Sequence, residues 1–156
     1  MAQEIERKFL VRGGFMQEVV RSTHIVQGYL SLNPERTVRI RLRGERGYLT
    51  TKGRSFDGGV SRFEHEREIS IEEARELMRH CLPGLIDKIR HEVVWGRHLF
   101  EVDQFLGENE GLVLAEVELS AVDEAFDRPE WLGEEVTGIE RYYNAMLMRF
   151  PYNSWK

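Results

Sequence analysis

Two acids and a lysine recur at every second position of the opening segment Glu4-Ile5-Glu6-Arg7-Lys8-Phe9-Leu10-Val11. Period two is the side-chain period of a strand, so Glu4, Glu6 and Lys8 project from one face. The spacing returns in Arg39, Arg41 and Arg43, in Glu64, Glu66 and Glu68, in Lys88 and Arg90, in Glu101 and Asp103, and in Glu116 and Glu118, with Lys52 standing alone between two of the sets. An alternating strand ordinarily leaves its charge to water, and cross-strand Arg–Glu pairs on a half-open sheet carry little energy. Segregation by strand speaks for a different arrangement. Val38-Arg39-Ile40-Arg41-Leu42-Arg43 is basic all along one face, whereas the 64–68, 101–103 and 116–118 sets are acidic. Like charges at i and i+2 repel unless something of opposite sign lies between the rows, and metal ions with a phosphorylated ligand would supply it. Paired carboxylates are hard oxygen ligands for Mg2+ or Mn2+, and guanidinium groups fork onto phosphate oxygens.

The elements that must position these groups are mostly strands, expected near 3–11, 23–32, 36–43, 47–53, 60–70, 85–95, 98–105 and 112–119, with turns at Asn33-Pro34 and Glu45-Arg46-Gly47. A helix fits 71–81: Ser70 can cap it, Glu73 completes a capping box, and Ala74, Leu77, Met78 and Cys81 share a face that Pro83 and Gly84 then end. A second helix is expected over about 140–148, and 120–138 reads as an acidic, mostly irregular connection. The fold class is α+β. About eight antiparallel strands avoid exposed edges by closing, and a closed β-barrel with its helices packed outside would turn the charged faces into the lumen.

A chain of 156 residues with 41% hydrophobic and 31% charged content suits one domain over 1–156. Met1 leads directly into the acidic strand, and no apolar run is long enough to cross a bilayer, so no membrane partner and a cytoplasmic location are expected. Cys81 is the sole cysteine, which excludes an internal disulfide. The net charge of −5 argues against broad polyanion binding. His24, His65, His80, His91 and His98 lack zinc spacing, and Gly53 to Gly59 lacks the lysine of a phosphate-binding glycine loop. Phosphate must therefore be held by side chains. Trp95, Trp131 and Trp155 read as packing residues, as do Tyr142, Tyr143 and Met146.

Glu4-Ile5-Glu6-Arg7-Lys8 resembles the ExExK signature of the CYTH domain, the triphosphate tunnel metalloenzymes. The signature is followed in order by Arg39-Ile40-Arg41, Thr50-Thr51-Lys52-Gly53, Glu64-His65-Glu66, Lys88-Ile89-Arg90, Glu101-Val102-Asp103 and Glu116-Val117-Glu118. Gln27-Gly28-Tyr29-Leu30 and Arg141-Tyr142-Tyr143-Asn144 look like the short bacterial inorganic triphosphatase branch.

The resemblance implies an eight-stranded tunnel that binds a triphosphate and one or two divalent metals, Mg2+ or Mn2+. It places Glu4, Glu6, Glu116 and Glu118 on metal, with Asp103 and Glu101 in second rank. Lys8, Arg39, Arg41, Lys52, Lys88 and Arg90 would hold phosphate oxygens, and Arg43 shares their parity and falls toward the mouth. Glu64 and Glu66 would hold the basic groups in place, and His65 between them should face outward. Tyr29 and Lys52 match positions thought to assist the attacking water. The implied activity is metal-dependent hydrolysis of a triphosphate, with inorganic tripolyphosphate favoured because the short chain has no obvious extra segment for an organic group. Thiamine triphosphatase, class IV-type adenylate cyclase and a non-catalytic module binding polyphosphate or nucleic acid are the alternatives. The expected partner is a small-molecule triphosphate and no nucleic acid, for a monomer or homodimer.

Overall fold

The computed structural model describes residues 3–155. Eight strands, β1 (Gln3–Val11), β2 (Val19–Ser31), β3 (Thr37–Arg43), β4 (Arg46–Phe56), β5 (Ser61–Ile69), β6 (Ile86–Trp95), β7 (His98–Phe105) and β8 (Val113–Glu118), form the wall. Their spatial order is β5-β4-β3-β2-β6-β7-β8-β1, and an antiparallel β1–β5 pairing closes the barrel. Closure removes both sheet edges. Register then fixes which charges meet: Glu6 lies opposite Glu118 and Lys8 opposite Glu116, while on the other edge Glu4 lies opposite Arg62.

One further strand falls within the stretch expected to be irregular. Beyond Ile5 the edge of β1 is taken up by β9 (Leu132–Glu135), with Phe9 opposite Glu135 and Val11 opposite Leu132. Four residues are too few for an alternating pattern to show.

Alternation sorts the wall into a charged inner face and an apolar outer one. Phe9, Phe100, Val102, Ala115 and Val117 are buried on the outside, against Phe15 and Trp131 from the connecting segments. Trp131 is thus a packing residue, its indole N–H donating to Glu18 Oε1 at 2.9 Å. The helix α1 (Ile71–Met78) covers a different sector, where Ala74, Leu77 and Met78 meet Ile40, Leu42 and Leu49. Ser70 Oγ caps it, accepting from the Glu73 N–H at 3.0 Å. Close approach requires Gly47, since a Cβ there would stand 2.5 Å from that of Ala74. α1 ends earlier than the expected residue 81: the N–H groups of Arg79, His80 and Cys81 reach back to the carbonyls of Glu76, Leu77 and Met78, a tight turn that replaces the last helical turn.

The second expected helix is shorter and broken. A 3-10 turn at Glu140–Tyr142 gives way to extended backbone at Tyr143 (φ −69°, ψ 138°), and only then comes α2 (Asn144–Leu147). This segment stops one end of the barrel. Tyr142, Leu147 and Met148 bury against Tyr29, Ile86, Phe105 and Leu114. Ile86 and Leu114 have the parity of Lys88 and Glu116, so the inner face turns apolar where it is plugged. Among the described residues no helix is long and apolar enough to cross a membrane.

Candidate active site

Inside the barrel is a cavity of about 250 Å3. Glu4, Glu6, Lys8, Tyr29, Arg39, Arg41, Arg43, Lys52, Glu64, Glu66, Lys88, Arg90, Glu101, Glu116 and Glu118 all line it, so the period-two sets from six strands converge on one space. His65 is exposed on the opposite face, as its parity requires. Asp103 is the exception among the site residues read from the sequence: it does not line the cavity.

The basic wall is held by carboxylates. Arg39 Nη2 donates to Glu66 Oε2 at 3.3 Å and to Thr50 Oγ1 at 3.2 Å, Arg41 Nη2 donates to the same Glu66 oxygen at 3.2 Å, and Thr50 Oγ1 donates to it at 2.7 Å. Both Nε atoms are buried without an acceptor. Burial, then the neighbouring Arg39 and Arg90, pull Arg41 down to about 9, so it carries its charge at a cost that a bound anion would relieve.

Deeper in, Asp103 binds Arg90 through two hydrogen bonds of 2.8 Å and Lys88 Nζ through a third contact of 2.8 Å. Both of its oxygens are therefore occupied by cations, and the side chain is only 2% exposed. That geometry makes Asp103 a counter-ion for two lysine and arginine groups, where the resemblance put a second-rank metal ligand. Burial raises its pKa, but Arg90 and Lys88 outweigh burial and hold it below the ordinary carboxylate value. Lys88 is lowered to about 8 by burial despite Asp103, and its ammonium also donates to Asn144 Oδ1 at 2.9 Å.

The acidic wall is arranged otherwise. Glu6 is raised well above its ordinary value by burial, then by Glu116 and Glu4. Burial also disfavours the charge on Glu116, but Lys8, a hydrogen bond from Glu6, Arg90 and Lys88 outweigh it and hold Glu116 well below. The two members of the pair are thus pushed apart, Glu6 upward and Glu116 downward. Glu118 is raised by burial, then by Glu4, Glu101 and Glu64. Lys52 sits between the walls, 3.2 Å from Glu4 and 3.6 Å from Glu64. Tyr29, 4% exposed, accepts a hydrogen bond from Gln27 Nε2 at 3.0 Å, and among the described residues no hydrogen bond joins it to Lys52.

Several lining residues were not foreseen. Asn144 lies at the cavity floor on α2, and Tyr143, read as helix packing, lines the cavity with its ring 5.6 Å from Lys8 Nζ. The break at Tyr143 turns both inward, and a helical pattern drawn through it hides that. Thr50, which bonds Arg39 and Glu66 without lining the cavity, shares the parity of Lys52 and was legible on that ground alone.

The CYTH domain model matches residues 2–144. The chain belongs to the CYTH family. Across its whole length it is 42% identical to an inorganic triphosphatase of Acetivibrio thermocellus, with 99% of that protein covered. It is 37% identical to an inorganic triphosphatase of Nitrosomonas europaea over 92% of this chain and 95% of that one. A solved inorganic triphosphatase superposes with a TM-score of 0.67 at 33% identity, covering 95% of each chain.

Triphosphate tunnel enzymes of the CYTH family are metal-dependent in general. Among the described residues no three carboxylate, histidine or cysteine side chains stand close enough to enclose an ion as placed. The donor chemistry of this CYTH barrel nevertheless fits one. Glu4, Glu6, Glu116 and Glu118 offer only hard oxygens, and the crowding that raises Glu6 beside Glu116 and Glu4 is one that a divalent cation would relieve.

Proposed function

We propose that this CYTH protein is a metal-dependent triphosphatase that hydrolyses inorganic tripolyphosphate to pyrophosphate and phosphate inside the barrel. The observation that carries the reading is the pair of buried, unpartnered Nε donors of Arg39 and Arg41 in a cavity whose facing wall is carboxylate. Buried guanidinium donors without acceptors favour a polyanion, and a carboxylate wall favours one that arrives with cations. The full-length similarity to proteins named inorganic triphosphatases supports the choice of substrate.

Lys8, Arg39, Arg41, Lys52, Lys88 and Arg90 grip the phosphate oxygens and offset charge that builds on them as the reaction proceeds. Mg2+ or Mn2+, held by Glu4, Glu6, Glu116 and Glu118, would supply Lewis acidity and a water of lowered pKa. Water attacks the terminal phosphorus as the bridging P–O bond breaks, its electron pair leaving with pyrophosphate. Tyr29 and Lys52 orient that water. Glu66 within the lining and Asp103 one layer back keep the cations aimed before substrate arrives. The reading also makes the substrate a small molecule rather than a nucleic acid, for a cytoplasmic monomer or homodimer.

Phosphate release from tripolyphosphate, thiamine triphosphate, ATP and pyrophosphate, each with Mg2+, Mn2+ or chelator, tests this. Metal-dependent release from tripolyphosphate above the others is expected. Preference for an organic triphosphate, or cyclic AMP from ATP, would replace the substrate assignment, and full turnover by Tyr29→Phe would remove Tyr29 from its role.

A further inference from the structure

Glu92 is a buried carboxylate that this mechanism does not use. It follows Lys88 and Arg90 on the inner face of β6, one step closer to the open end, with its side chain 7% exposed. Arg21 donates to both of its oxygens, at 3.0 and 3.1 Å, and Arg43 stands 3.8 Å away. Arg21 reaches it through an irregularity in the wall: the register of β2 against β6 shifts between Val19 and Arg21, and Val20 is turned out to 66% exposure. Such bulges re-aim a side chain. Arg43 is the outermost member of the row Arg39, Arg41, Arg43, and it lines the cavity.

We propose that Glu92, by neutralising Arg43 at the mouth, ends the phosphate-binding row at Arg41 and makes the barrel selective for a triphosphate over longer inorganic polyphosphates. The inference rests on the triphosphatase reading. Each i to i+2 step along a strand advances the row by roughly 6.6 Å. An unopposed Arg43 would extend the positive lining by that step toward solvent. With Glu92 in place, a chain reaching past Arg41 meets a guanidinium whose charge is already partly balanced. Arg21 holds Glu92 fixed, so the limit is built from three strands, β2, β3 and β6.

The test compares inorganic tetrapolyphosphate with tripolyphosphate. In Glu92→Gln the ratio of kcat/KM values should shift roughly five-fold toward tetrapolyphosphate, equivalent to about 1 kcal/mol, with kcat for tripolyphosphate unchanged. Adding Arg43→Gln should return the ratio to its original value, which loss of packing at Glu92 would not do. Arg21→Gln, altering a largely exposed side chain, removes a cation that competes with Arg43 for Glu92 and should shift the ratio by less and in the opposite direction. An unchanged ratio in folded Glu92→Gln, or a raised ratio that persists in the double variant, overturns the proposal. If Glu92→Gln does not fold, an unchanged ratio in Arg21→Gln overturns it equally. Calorimetric affinities for the two polyphosphates with Mg2+ report the same selectivity without turnover. A protein that binds both but cleaves neither would therefore sink the activity and leave Glu92 testable.

Discussion

The two walls of the cavity carry opposite charge, and they differ more deeply in how that charge is balanced. On the basic wall two carboxylates each hold two cations: Glu66 serves Arg39 and Arg41, and Asp103 serves Arg90 and Lys88. On the acidic wall Glu6 is crowded by Glu116 and Glu4, and Glu118 by Glu4, Glu101 and Glu64. The cations of the basic wall are held in position as the protein folds, with donors left over for an anion. The acidic wall is completed by something it binds. A site that must take up a polyanion and its cations together gains from this asymmetry, because the rigid half fixes the geometry into which the mobile components fit.

The sharpest way to break the comparison is to remove charge from each wall in turn. Glu6→Gln keeps an N–H donor for Glu116, so the fold should persist with its melting temperature nearly unchanged. Metal-dependent hydrolysis should fall at least about 100-fold, as a negative ligand is lost from the acidic wall. Retained activity would show that the acidic wall does not hold metal. Asp103→Asn should do the reverse in kind. It leaves Lys88 and Arg90 buried beside a neutral amide, which costs about 3–5 kcal/mol and lowers the melting temperature by about 10 °C. A variant as stable as the parent would mean that Asp103 is no structural counter-ion.

The walls were also unequally legible in the sequence. Period two was enough to bring Glu4, Glu6, Lys8, Arg39, Arg41, Lys88, Arg90, Glu116 and Glu118 to one face, because each set lies on a long strand whose alternation is undisturbed. Parity gives the face a residue shares and says nothing of depth. Asp103 has the parity of Glu101, yet it stands behind Arg90 and Lys88, a fact set by cross-strand contacts with β6 that one strand's pattern does not contain. Tyr143 and Asn144 were hidden for another reason. The chain leaves helical geometry at Tyr143 so that its flanks can plug the barrel, and tertiary packing overrides the local 3.6-residue rhythm there. β9 was missed because its four residues are recruited by the unfilled edge of β1, which exists only once the barrel has closed.

A smaller effect separates the walls by pH. Glu6 has a folded pKa well above its ordinary 4.5, so the folded protein binds more protons than the unfolded chain between those two values. Stability of the metal-free protein from this group is therefore present at low pH and declines as pH rises through that window. Glu116 and Asp103 have depressed values and contribute in the opposite sense, their stabilisation being lost only as pH falls below the ordinary carboxylate range. On the proposed ligand set a divalent cation would displace the Glu6 proton, so its binding should strengthen as pH rises. At 100 times its dissociation constant it should add about 2.7 kcal/mol, or about 5–10 °C in melting temperature for a chain of this size. The rise produced by Mg2+ should thus be largest above the Glu6 range and should shrink toward zero as pH approaches 4.5. In Glu6→Gln the increment should be small because an anionic ligand is lost, and it should no longer follow the Glu6 titration because no proton is left to displace. An Mg2+ increment that stayed constant with pH in the parent protein would place the cation away from the Glu6–Glu116 pair.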